Sequence, residues 1–155
     1  MDKTPPNPRY LAGELYLFEE WDFGAGRGPQ QKFSIILKHQ QSTCLVLHCW
    51  PTKVDRSIEI FKSKSGCVNT SHYSCYKFKA GRRVTTEGWT FNRDTYVYCG
   101  SGLDINDSTT LDIHARYGKL RLVGKILPPI FQELINCLLT SADIPQRYRR
   151  FLEAE

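Results

Sequence analysis

The chain has 155 residues, 41% hydrophobic and 24% charged, which suits one domain with its own core and excludes a disordered chain. Lys and Arg outnumber Asp and Glu by 21 to 16, and the resulting +5 permits an anionic partner without demanding one. No run nears the roughly 20 apolar residues of a membrane span.

Residues 1–9 hold Pro5, Pro6 and Pro8 and no apolar segment, so they read as a flexible arm rather than a signal peptide. Residues 10–155 read as a single domain. Six cysteines are too few for a disulfide scaffold at this length. Cys44, Cys49 and Cys137 sit in apolar runs, where a thiol acts as a small buried hydrophobe. Reduced thiols and a cytoplasmic location are the resulting expectation.

Short strands are predicted from residue 11 onward. The first covers 11–18, and a Gly-rich polar loop follows at 22–31. Residues 32–39 and 43–50 are rich in Ile, Val and Leu and flank Gln40, Gln41 and Ser42, so they read as a hairpin. Alternation predicts a half-exposed strand at 56–62, then a polar loop at 63–72. Further strands are expected at 73–79, 83–91 and 95–99, and a second hairpin at 109–115 and 119–123. The period then changes. Ile130, Leu134, Cys137 and Leu138 share one helical face after Pro128 and Pro129. A second short helix is expected after Asp143, as N-cap, with Ile144, Tyr148 and Leu152 inward and Arg147, Arg149 and Arg150 in solvent. Many short strands before terminal helices predict a mainly β (α+β) domain.

Several motifs carry less chemistry than their residue types suggest. The glycines of 24–28 lead into Pro29 and a strand, not into a helix N-terminus, so they do not form a phosphate loop. Cys67, His72 and Cys75 have zinc-ligand chemistry but no finger spacing. No nucleophile elbow is present. Among the four histidines, His48 and His114 lie inside expected strands, where packing is the usual role. Either imidazole could still move a proton near neutrality. Trp21 flanks the polar loop, where an exposed ring would stack on a base, whereas Trp89 reads as core.

Four segments together carry a family resemblance. They are Gly13-Glu14-Leu15-Tyr16-Leu17-Phe18, Lys32-Phe33-Ser34-Ile35-Ile36-Leu37, Cys49-Trp50-Pro51-Thr52-Lys53, and Thr110-Leu111-Asp112-Ile113-His114-Ala115-Arg116. The chain resembles the PemK/MazF family of toxin–antitoxin endoribonucleases. Lys32-Phe33 stands where that family has Arg-Pro, and residues 55–99 exceed what its small members contain. The match to the late strand is ambiguous, because Arg93-Asp94-Thr95 is an alternative start for it.

The resemblance implies an SH3-like small β-barrel with one or two C-terminal helices, usually a homodimer, whose groove takes RNA or a cognate antitoxin. It implies metal-independent cleavage of single-stranded RNA by the RNA's own 2′-hydroxyl, with no cofactor. Carried over by position, Lys32 is the cation on the phosphate, Thr52 a hydrogen-bond donor to it, and Asp107 the acidic residue, with Asn106 competing for that place. Arg27, Arg116 and Trp21 become RNA contacts. Lysine lacks the planar fork of arginine. The alternative reading is therefore a catalytically degenerate barrel that binds nucleic acid or protein.

Overall fold

The computed structural model describes residues 9–21, 30–51, 65–69 and 74–154. They form a mainly β, α+β domain of two antiparallel sheets and three helices. Strands β1 (Glu14–Trp21), β2 (Gln30–Gln40), β3 (Thr43–His48), β8 (Leu103–Asp107) and β9 (Leu120–Lys125) make a five-stranded sheet in the order β8-β3-β2-β1-β9. Strands β4 (Trp50–Pro51), β5 (Gly66–Asn69), β6 (Ser74–Phe78) and β7 (Thr95–Tyr98) make a second sheet, ordered β4-β7-β6-β5. Neither sheet closes on itself among the described strands, so the expected closed barrel is absent there.

The expected hairpin of 32–39 and 43–50 forms as β2 and β3, turning through Gln41 at φ 56°. Side-chain alternation then divides the five-stranded sheet into two faces. Phe33, Ile35 and Leu37 join Leu45, Leu47, Tyr76, Phe78 and Val97 in the main core between the sheets. Helix α2 (Pro128–Thr140) and helix α3 (Gln146–Glu153) cover that core with Ile130, Leu134, Leu138 and Tyr148. The opposite face carries Tyr16, Phe18, Ile36, Cys44 and Val46 under Leu111 of helix α1 (Ser108–Arg116).

Helix α1 corrects the expected late strand at 109–115. Asp107 caps it by accepting from the Thr109 backbone N–H at 2.9 Å, and Leu111 and Ala115 fall on one face at i, i+4. Gly118, at φ 71°, ends it: the N–H groups of Gly118 and Lys119 return to the carbonyls of Ala115 and His114. β9 consequently pairs with β1, not with a strand before it.

Other boundaries shift. The first strand runs three residues past Phe18, to Trp21. Gly66–Asn69 is a strand inside the expected polar loop. Residues 83–91 make a turn with isolated bridges Arg83↔Thr90 and Thr85↔Ile126 instead of a strand. Pro145, not Asp143, is the N-cap residue of α3. Asp143 instead accepts from the Ser74 N–H at 2.6 Å. Arg149 is not simply solvated, because its guanidinium donates to the Leu139 and Ser141 carbonyls at the C-terminus of α2. The expected strand at 56–62 lies outside the described residues.

The cysteines depart from expectation most. Cys67 and Cys137 form a disulfide that ties β5 to α2. Cys137 is therefore not a free thiol, and Cys67 is not a zinc ligand. Cys44, Cys49, Cys75 and Cys99 are free and buried. No described helix is long and apolar enough to cross a membrane.

Candidate functional site

Lys32 is the residue around which polar chemistry gathers. β2 pairs it with Phe18 of β1, and alternation puts it on the same face as Ser34. Its side chain is only 5% exposed. Its ammonium sits 3.2 Å from the centre of the Trp50 ring, a cation–π contact worth up to about 2 kcal/mol when desolvated. Lys32 also sets the field at Cys49. Burial pushes that thiol up to about 12, and the lysine's charge partly opposes the rise.

Two residues along, Ser34 pairs with His48 of β3. Ser34 Oγ lies 2.6 Å from His48 Nδ1, and His48 Nε2 lies 3.8 Å from Oδ2 of Asp104 on β8. The carboxyl of Asp104 is held below the usual carboxylate range, chiefly by its interaction with His48. Gly102 lets β8 approach. A Cβ there would meet the carbonyl oxygens of Tyr98 at 3.0 Å and His48 at 3.3 Å.

Ser34, His48 and Asp104 have the residue types of a hydrolase triad, but their order argues against one. A nucleophilic serine needs exposure to substrate and a base beyond it oriented by a third group. Here Ser34 is fully buried, while Asp104, at 44% side-chain exposure, is the solvent-facing member. The arrangement instead fixes the buried His48 ring between Ser34 at Nδ1 and the solvent-facing Asp104 at Nε2.

A second imidazole stands on the same face. Phe18 meets His48 and His114 edge-on, at centroid separations of 6.4 and 5.8 Å. Helix α1 crosses the sheet from Asp107 toward β1, so its last turn brings His114 and Arg116 to the Lys32 end. The ion pair between Lys119 and Glu20, 2.8 Å long, closes the rim there.

The sequence-predicted site residues divide accordingly. Lys32 and Arg116 share one end of the sheet. Asp107 does not join them. It pairs with Thr43, at the other end of β3 from His48, roughly 16 Å away at about 3.3 Å per residue. Its carboxylate is engaged by the backbone N–H and hydroxyl of Thr109. Asn106 pairs with Cys44, one step from that same end. Thr52 and Arg27 lie outside the described residues, and so does the Trp21 side chain, although the Trp21 backbone pairs with Gln30.

On the other side of Lys32, a cavity of about 240 Å³ opens between the sheets, walled by Phe33, Trp89 and Phe91. Trp89 packs into that wall as the sequence suggested, with ring centroids 5.0 Å from Phe33 and 4.6 Å from Phe91. No group of three metal-ligating side chains occurs among the described residues. Ser34 and Asp104 were not singled out from the sequence. The period-2 relation of Ser34 to Lys32 was visible there, but the strand holding Asp104 was not expected.

No family model matches the chain, and no curated protein matches it.

Proposed function

We propose that the chain is a PemK/MazF-like endoribonuclease that cleaves single-stranded RNA without a metal ion, as part of a toxin–antitoxin pair. The observation that carries this reading is the convergence of one cation and two imidazoles, Lys32, His48 and His114, at one end of a sheet face. Transfer of a phosphoryl group to a 2′-hydroxyl needs a proton acceptor, a proton donor and a cation. The SH3-like barrel of that family accompanies the proposal, supported by the β1-β2-β3 meander and the helix following the last strand.

In the proposed mechanism His48, held between Ser34 Oγ at its Nδ1 and Asp104 at its Nε2, is the proton acceptor together with Asp104, the member of the group that faces solvent. The His48–Asp104 pair takes the 2′-hydroxyl proton as the 2′-oxygen bonds to phosphorus. The bond from phosphorus to the 5′-oxygen breaks, and the His114 imidazolium protonates that leaving oxygen. The products are a 2′,3′-cyclic phosphate and a 5′-hydroxyl. Asp104 stabilises the transient His48 imidazolium, and Lys32 offsets charge on the non-bridging oxygens. Arg116 holds the RNA backbone at the rim. Thr52 and Arg27 keep their proposed phosphate contacts, Trp21 its proposed stacking role, and the antitoxin its proposed place in the groove of a homodimer. A cytoplasmic site of action belongs to the same proposal. The Cys67–Cys137 disulfide weighs against it, because such bonds persist mainly in oxidising compartments.

The burial of Lys32 against Trp50 favours a second reading, a barrel that binds nucleic acid or protein without cutting it. Cleavage of single-stranded RNA in a chelating buffer separates the two. Cyclic-phosphate ends support the enzyme, and binding without cleavage supports the module.

A further inference from the structure

We propose that the cavity beside Lys32 is a nucleobase pocket that selects the base next to the cleaved phosphate, an inference that rests on the ribonuclease reading. At about 240 Å³ it falls below the roughly 300–1,000 Å³ of sites for drug-sized ligands, and it suits a single planar ring system. Phe33 and Trp89 are half-buried, so part of each ring remains open to the cavity. Bases stack on such rings, at about 1–3 kcal/mol per base.

The mouth supplies what distinguishes a base from any other flat molecule. Gln31 and Asn92 are exposed side-chain amides, each able to donate and accept on a base edge. Arg93, also exposed at the mouth, suits the backbone phosphate. The nearby carboxylate Asp94 lies 3.6 Å from Lys77, and it accepts from the Ala80 N–H. Its charge is thus offset by Lys77. Phe33 and Cys49 wall the cavity from the face of the sheet opposite Ser34 and His48, and Lys32, which lines the cavity and alternates onto the imidazole face, links the two at the end of the sheet. Trp89, Phe91, Asn92 and Arg93 all belong to the segment that exceeds the small members of the resembled family. The pocket gives that segment a function.

The test is an NMR titration of the full chain with each of the four ribonucleoside 5′-monophosphates, and with ribose 5-phosphate as the base-free control. The indole N–H signal of Trp89 is assigned through Trp89→Phe. At least one nucleotide should move the Trp89 signal saturably, while ribose 5-phosphate should not. Asn92→Ala, a change at an exposed turn, should weaken the preferred nucleotide about tenfold and flatten the base preference of RNA cleavage. No movement of Trp89, or equal movement with ribose 5-phosphate, overturns the pocket. Cleavage with unaltered base preference in Asn92→Ala overturns it too, and leaves the ribonuclease reading standing. Nucleotide binding by a chain that cuts no RNA keeps the pocket as a base site and removes that reading. Absence of both binding and cleavage removes both.

Discussion

Ser34 and His48 face each other across two paired strands, with Oγ 2.6 Å from Nδ1 and both side chains buried. A buried hydrogen bond of this kind fixes the ring and selects its tautomer. Its removal leaves a ring nitrogen without its partner, at a cost of about 1–3 kcal/mol. Ser34→Ala should therefore lower the unfolding free energy by about that amount. RNA cleavage should fall more than tenfold, with a displaced pH–rate profile. A variant with lower stability but an unmoved pH profile would reduce Ser34 to a packing role.

Asp104 gives the protein an acid dependence whose sign is fixed. Its folded-state carboxyl is held low, so it contributes stability above its unfolded value of about 3.9. That contribution is lost as pH falls through the lower folded value. At 44% exposure the effect is small. Urea midpoints for wild type and Asp104→Asn should differ at pH 6 and converge toward pH 2. A gap independent of pH would mean that Asp104 acts through packing.

Asp107 is the cap of α1, and its replacement separates that role from catalysis. Asp107→Ala should cost about 1 kcal/mol, within the 0.5–2 range of lost caps, and leave cleavage of RNA unchanged. A large loss of cleavage at unchanged stability would return Asp107 to the site.

The Cys67–Cys137 bond spans a sequence separation of 70 residues, so it restricts the unfolded chain over a long loop. Cys67→Ser should lower the unfolding free energy by about 2–5 kcal/mol, and reductant should destabilise wild type but not the variant. Equal stability of wild type with and without reductant would show that the bond contributes nothing.

Much of the scaffold was legible in the chain because period and turn chemistry agreed. The β2–β3 hairpin, β6, β7 and α2 follow from apolar alternation or from the 130, 134, 137 and 138 spacing. Helix α1 was not legible. Thr110 and Ile113 are β-branched and favour strands, and capping by Asp107 with the burial of Leu111 overrode that preference. Residues 63–72 read as loop because the strand Gly66–Asn69 within them owes its pairing to β6 rather than to its own composition. Lys32 was visible through its position in a motif. Its partners Ser34, His48 and His114 are joined only by strand register and by the path of α1, neither of which periodicity reveals. The disulfide joins two cysteines from segments with opposite character, one polar and one apolar, and spacing alone could not pair them.

The most direct measurement is cleavage of single-stranded RNA by wild type, Lys32→Ala and Lys32→Arg in the presence of a metal chelator, with the product ends identified. Wild type should leave 2′,3′-cyclic phosphate and 5′-hydroxyl ends. Lys32→Ala should be about a hundredfold slower or more, as for a lost oxyanion donor. Lys32→Arg should equal or exceed wild type, because a guanidinium grips the phosphate with two bonds. Folded wild type and Lys32→Arg that both fail to cut a range of RNAs, or that cut only when metal is restored, would contradict the account.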